Sequence, residues 1–144
     1  MNKVWQILKN KGSNVWTISQ NATVLDGLHF LTDKKVGSLM VMDADKVVGI
    51  FSMGDLGRKV ILIGKQPENT TVNEVMTRDL ITVSPNQSVH ECMALMTEHH
   101  VRHLPVFDGD QLVGILSIGD LVKDMTSELE FLVDQLTNYI TGSS

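Results

Sequence analysis

Two four-residue segments carry the chemistry available to this chain: Ser52-Met53-Gly54-Asp55 and Ser117-Ile118-Gly119-Asp120. Each places a hydroxyl, a glycine and a carboxylate within one turn, where an apolar strand-like run gives way to a helical pattern. One use of such a segment is internal. A serine at the N-cap and an acid three positions on form a capping box, which satisfies orphan amides at the helix start. The other use is a ligand mouth. A helix start presents free N–H groups and partial positive charge to a phosphate. Glycine lets a ligand approach the backbone, and a carboxylate can accept two hydrogen bonds from a ribose diol. A serine hydroxyl can donate to phosphate. The two uses are compatible.

Other constellations carry less. His99 and His103 stand four apart, a spacing that serves zinc on a continuous helix. The pattern puts a helix end near His99 and a strand start near Leu104, so the pair is expected to straddle a break, and no cysteine lies nearby to complete a set. Cys92, the single cysteine, falls on the apolar face of a helix and reads as buried and inert. Ser117 has His103 as a neighbour but no third orienting group and no nucleophile-elbow motif. Neither a Gly-x-x-x-x-Gly-Lys-Ser/Thr loop nor a Gly-x-Gly-x-x-Gly fingerprint occurs.

The elements that must position these segments come from a duplication. Shifted by 65 positions, residues 14–56 align without a gap on residues 79–121, and 17 of the 43 pairs are identical. Val48-Gly49-Ile50-Phe51-Ser52 falls on Val113-Gly114-Ile115-Leu116-Ser117. Each copy opens with a short extended piece, Val15 to Ile18 and Leu80 to Val83. A capping box follows, Thr23 to Asp26 and Ser88 to Glu91, leading a helix with one apolar face (Val24, Leu28, Leu31; Val89, Cys92, Met93, Met96). Then come two strands joined by a tight turn. Asp108-Gly109-Asp110 is a strong hairpin signal and Asp43-Ala44-Asp45 a weaker one. A second helix begins near Asp55 and Asp120. The unit reads β-α-β-β-α, in an α+β fold. Outside it, Val4, Trp5 and Leu8 share one side of a short helix ended by Gly12, and Gly64 to Asn73 reads as a connector. Leu129, Leu132, Val133, Leu136 and Ile140 form a helical stripe that either packs on its own domain or joins a second chain. The domain reading is 1–70 for the first unit with the N-terminal helix, and 71–144 for the second with the C-terminal helix.

Composition sets the frame. The 144 residues carry 12 Lys+Arg against 17 Asp+Glu, for a net charge of −5, so no basic face favours nucleic-acid backbone binding. The aliphatic run Val60-Ile61-Leu62-Ile63 is far short of the ~20 residues needed to cross a bilayer. Residues 1–6 lack the apolar core of a secretory signal. A cytoplasmic protein that meets no membrane and no nucleic acid is expected.

The doubled unit, with Gly-h-h-Ser-x-x-Asp in each copy (h, an apolar residue), resembles a tandem pair of cystathionine-β-synthase (CBS) domains. Val75-Met76-Thr77 and Val101-Arg102-His103-Leu104-Pro105-Val106 add to the resemblance, which covers residues 14 to about 125. It implies two units packed by pseudo-twofold symmetry into one CBS-pair module, and a homodimer of such modules. It also implies clefts between the units that take adenine ligands: AMP, ADP, ATP, S-adenosylmethionine or NAD. By the same resemblance Asp120 would hold the ribose hydroxyls and Ser117 a phosphate, beside Gly119. Arg102 and His103 would be phosphate-binding cations, and Thr82 would read the adenine edge. Ser52 and Asp55 would repeat those roles in the first copy, where Thr17 and Ser38 match Thr82 and His103. Arg58 and Lys59 would either reach phosphates or form a solvated helix face. Because Gly37-Ser38 replaces Arg102-His103, the second copy is expected to bind more tightly. The implied function is a non-catalytic sensor that signals to a regulated protein. The rival readings are a structural interaction module without nucleotide and a nucleotide hydrolase.

Overall fold

A computed structural model describes residues 2–142. The elements run α1 (Val4–Lys11), β1 (Thr17–Ser19), α2 (Val24–Lys34), β2 (Ser38–Asp43), β3 (Lys46–Ser52), α3 (Met53–Leu56), a π turn (Gly57–Ile61), a 3₁₀ turn (Pro67–Asn69), α4 (Val72–Val75), α5 (Val89–His99), β4 (His103–Asp108), β5 (Gln111–Ser117) and α6 (Ile118–Thr141). They form two compact units, one of residues 14–80 and one of residues 1–13 with 81–144. Each is α+β.

In the first unit β1, β2 and β3 form one sheet, with β1 parallel to β2 and β2 antiparallel to β3. Thr23 caps α2 through a reciprocal box with Asp26. That fixes the helix so that Val24 and Leu31 drop into a core with Leu39, Val41, Phe51, Val60 and Val72. The second unit repeats the hairpin in register: His103 faces Ser117 as Ser38 faces Ser52, and both hairpins carry one bulge at the same place. Both α2 and α5 end on a left-handed residue, Lys35 and His100. The hairpin turns are also left-handed, at Ala44 and Gly109, so the weaker turn sequence still adopts the conformation that glycine favours.

Three expectations change. First, the extended piece 80–83 does not become a strand. It keeps one parallel bridge, Val83 to Val106. In the first copy Met40 N–H donates to Trp16 C=O at 3.0 Å. Its counterpart is Pro105, which has no N–H to give, so the ladder cannot extend. Second, the N-terminal helix packs in the unit of the second repeat, not the first, and residues 71–80 remain with the first. The break lies at residues 80/81 rather than 70/71. Hydrogen bonds explain the exchange. Val4 N–H donates to Gln87 C=O and Val89 N–H to Asn2 C=O, while Val72 N–H donates to Ala22 C=O and Val24 N–H to Thr70 C=O. The same pair of bonds thus forms in each unit, with α1 standing in the second unit where α4 stands in the first. Third, the face α1 buries is Val4, Ile7 and Leu8, and Trp5 lies outside it.

The tight seat of these segments explains two glycines. A Cβ on Gly49 would lie 2.8 Å from the Thr77 carbonyl oxygen and 2.8 Å from Met76 Sδ, and one on Gly114 would lie 2.7 Å from Leu8 Cδ2. The C-terminal stripe continues α6 without a break. Leu129, Leu132, Val133, Leu136 and Ile140 are all exposed, so they do not pack on their own unit.

Candidate functional site

In the second unit β5 ends at Ser117, which caps the 24-residue α6. The cap is reciprocal. Ser117 N–H donates to Asp120 Oδ2 at 2.8 Å, and Asp120 N–H donates to Ser117 Oγ at 3.2 Å. Gly119 has open space on its Cβ side, with only Ser117 Oγ within 4 Å. His103 sits opposite Ser117 across the hairpin. Arg102 is exposed, and its carbonyl accepts from Ile118 N–H at 2.8 Å, tying it to the helix start. Ser117, Gly119, Asp120, Arg102 and His103 therefore gather at one helix mouth. Thr82 is exposed beside the Val83 bridge and makes no side-chain bond to them.

The Asp120 carboxylate keeps 21% of its side chain exposed. Burial works to raise its pKa, but the Lys11 hydrogen bond, the Ser117 amide and the Lys11 charge together hold it below the ordinary aspartate value. The His103 pKa is also lowered, chiefly by burial, which favours the neutral ring. The Asp120 charge opposes this, and Lys11 and Arg102 add to it.

Lys11 had no place in the sequence reading. Its Nζ donates to Asp120 Oδ2 at 2.6 Å and to Ile115 C=O at 2.9 Å, from the last turn of α1. Beside it lies a cavity of about 210 Å³ whose lining includes Asn2, Asn10, Lys11, Asp120, Lys123 and Asp124. Asp124 Oδ1 accepts from Asn2 Nδ2 at 2.6 Å, and its buried Oδ2 has no partner among the described residues. A sequence signal for α1 exists. Val4-Trp5-Gln6-Ile7-Leu8 matches Val72-Asn73-Glu74-Val75-Met76 in pattern, and Gln6 and Glu74 accept from the N–H three positions back in the same way.

The first unit builds the same mouth and closes it. Asp55 is 1% exposed. Its Oδ2 accepts from Ser52 N–H at 3.0 Å and Ser52 Oγ at 3.3 Å, and its Oδ1 accepts from Thr77 Oγ1 at 3.2 Å and faces Lys59 Nζ at 2.9 Å. Lys59 also donates to the Val75 carbonyl at 2.9 Å. The Arg58 guanidinium covers Gly54, with Nη1 2.8 Å from where a Cβ would stand. Lys59, 40% exposed, is therefore held by an ion pair to a buried carboxylate and is not a free cation on a solvated face. Ser38 is buried opposite Ser52, and Thr17 is exposed on β1. The two mouths also differ one turn on: Lys59, four residues after Asp55, is replaced by Asp124, four residues after Asp120.

His99 ends α5 and His103 begins β4, with His100 left-handed between them, so the two do not share a helix face. No cluster of three metal-ligating side chains occurs among the described residues. Cys92 is buried, and burial, with Glu91 nearby, pushes its thiol up to about 11. Among the described residues no helix is long and apolar enough to cross a membrane.

Comparison with known proteins agrees with this twofold architecture. The profile of the CBS domain matches residues 10–61 and again residues 72–127. The chain belongs to the CBS-domain family. A CBS-domain protein of Arabidopsis thaliana, CBSX3, mitochondrial, is 33% identical over 146 residues, covering 94% of this chain and 70% of the relative. Among solved structures, a protein of Burkholderia ambifaria described as a signal-transduction protein with CBS domains is 44% identical. It covers 88% of this chain and 95% of its own, with a TM-score of 0.85. A hexameric CBS-CP12 protein from bloom-forming cyanobacteria is 29% identical, with a TM-score of 0.75, and the match covers 85% of this chain and 70% of that one. The chain is thus a CBS-domain pair.

Proposed function

We propose that this CBS pair is a non-catalytic regulatory module that binds an adenine nucleotide at the start of α6 and passes the resulting change of shape to a partner protein. The observation that carries the reading is the contrast between the two mouths. Asp55 is buried, and both its oxygens are taken by its own unit. Asp120 is partly exposed, and its Oδ1 accepts no hydrogen bond among the described residues. That oxygen is available to a ribose hydroxyl, with the helix start, Ser117, Arg102 and His103 beside it for phosphate. AMP, ADP, ATP and NAD share the ribose and phosphate this site would recognise. Binding shifts the module only by the difference in affinity between its states.

The test is calorimetric titration of AMP, ADP, ATP, NAD and S-adenosylmethionine into the wild type, with product analysis after long incubation. Saturable binding of one nucleotide without turnover supports the reading. The absence of binding by all five, or conversion of the ligand, overturns it.

The same module is proposed to self-associate through α6. Ile118, Val122, Met125, Leu129, Leu132, Leu136 and Tyr139 follow one another in alternating steps of four and three, and all are exposed. That 3.5-residue period is the seam of a helix that supercoils with another. The hexameric state named for the CBS-CP12 neighbour adds support.

A further inference from the structure

The two repeats solve one electrostatic problem in different ways. In the first, the acid at the helix mouth is neutralised from its own helix, by Lys59 at 2.9 Å from Asp55. In the second, Asp124 stands where that lysine would be, so α6 places two carboxylates on successive turns of one face. The cation comes from α1 instead, as Lys11 at 2.6 Å from Asp120. Lys11 is not a loose surface charge. It is held by a second bond to the Ile115 carbonyl, and α1 is pinned by buried Val4, Ile7 and Leu8.

We propose that Lys11 is a positioning residue of the nucleotide site, the counter-ion that anchors the Asp120 carboxylate through Oδ2 and leaves Oδ1 to the ribose. The proposal rests on the nucleotide reading above. The geometry is specific: the Lys11 ammonium and the Ser117 amide both bind Oδ2, which fixes the carboxylate plane and leaves Oδ1 open. The other charged groups about Asp120 are His103 and Arg102 at β4, and Lys123 and Asp124 on α6. Without Lys11, Asp120 loses the opposite charge and the hydrogen bond that lower its pKa, and that loss raises a carboxyl pKa.

The test uses Lys11→Met, Lys11→Arg and the double variant Lys11→Met/Asp124→Lys, the last rebuilding on α6 the pairing of Asp55 with Lys59. Two quantities are read in each folded protein: the Asp120 carboxyl pKa by NMR titration, and the affinity for AMP from pH 4 to 8. In Lys11→Met the Asp120 pKa is expected to rise toward or above the ordinary aspartate value. The pH at which AMP affinity falls should rise with it, and affinity at pH 7 should weaken severalfold. Lys11→Arg and the double variant should restore both. The inference is overturned if the wild type binds AMP while Lys11→Met leaves the titration and the affinity unchanged, or if Asp124→Lys rescues neither. If the wild type binds no AMP at any pH while the titration shift is present, the nucleotide reading fails, and the positioning role fails with it.

Discussion

Lys11 and Asp120 are 109 positions apart in sequence, and the Lys11 ammonium lies 2.6 Å from the Asp120 carboxylate. The equivalent pair in the other repeat, Lys59 and Asp55, is four positions apart and 2.9 Å long. The same charge pair is thus assembled once by local helix geometry and once by a segment from the far end of the chain. Burial separates their energetics. Asp55 is 1% exposed and Lys59 40%, so Lys59→Met leaves a buried carboxylate that keeps only its Ser52 and Thr77 bonds and should cost about 2 kcal/mol. Asp120 is 21% exposed and Lys11 35%, so water screens the pair, and Lys11→Met should cost under about 1 kcal/mol. Urea unfolding of the two variants measures the difference. Equal losses would contradict the account.

The glycines under α1 and α4 should also differ. At Gly49 an added methyl meets the Thr77 carbonyl, which accepts from Ile50 N–H, while Thr77 N–H donates back to Ile50 C=O. At Gly114 it meets the end of the buried Leu8 side chain, which can give way more easily than a hydrogen-bonded carbonyl. Gly49→Ala should therefore lose about 2 kcal/mol and Gly114→Ala distinctly less. The readout is again the unfolding midpoint, and the reverse order would argue against the two seats as described.

His103 gives the module a pH dependence near neutrality. Burial is the main cause that lowers its pKa in the folded state. Below the ordinary histidine value of about 6.5 the unfolded chain therefore takes up a proton that the folded chain still refuses. Stability should fall as pH drops from 7 through that window, until the folded form also protonates. His103→Gln should flatten the slope between pH 7 and 5 in denaturant unfolding. An unchanged slope would assign the dependence to other groups.

The exposed seam of α6 predicts a change of assembly. Leu129→Glu combined with Leu136→Glu places charge in the middle of the apolar row, where a partner helix would have to bury it. Light scattering of the wild type should give a multiple of the 16.0 kDa chain, and the double variant should give the single chain. A wild type that is already monomeric at micromolar concentration would remove this part of the proposal.

What the sequence made legible was what is local and repeated in one register. The capping boxes at Thr23, Ser88 and Ser117, the hairpin at Asp108-Gly109 and the two Ser-x-Gly-Asp mouths all depend on residues within a few positions of each other. The partners of those mouths were not legible. Lys11 and Thr77 come from the segments that precede each repeat, and those segments match in a different register, Val4 to Leu8 on Val72 to Met76. A single shift of the chain misses them. A second obstacle was a missing donor: the alignment makes residues 80–83 a strand like β1, but Pro105 removes the amide that would pair them. A third was an equivalence that the alignment hides. Asp55 and Asp120 are identical letters in matched motifs, yet Asp55, with Lys59 one turn later, lies in the interior, and Asp120, with Asp124 at that place, stays partly in solvent.

The central claim is that the carboxylate of Asp120, and not that of Asp55, receives the ribose of an adenine nucleotide. The most direct measurement is nucleotide affinity in Asp120→Asn set beside Ser52→Ala. Loss of a hydrogen bond to a charged acceptor predicts at least about tenfold weaker binding in Asp120→Asn, with Ser52→Ala unchanged from the wild type. Wild-type affinity in a folded Asp120→Asn would contradict the account.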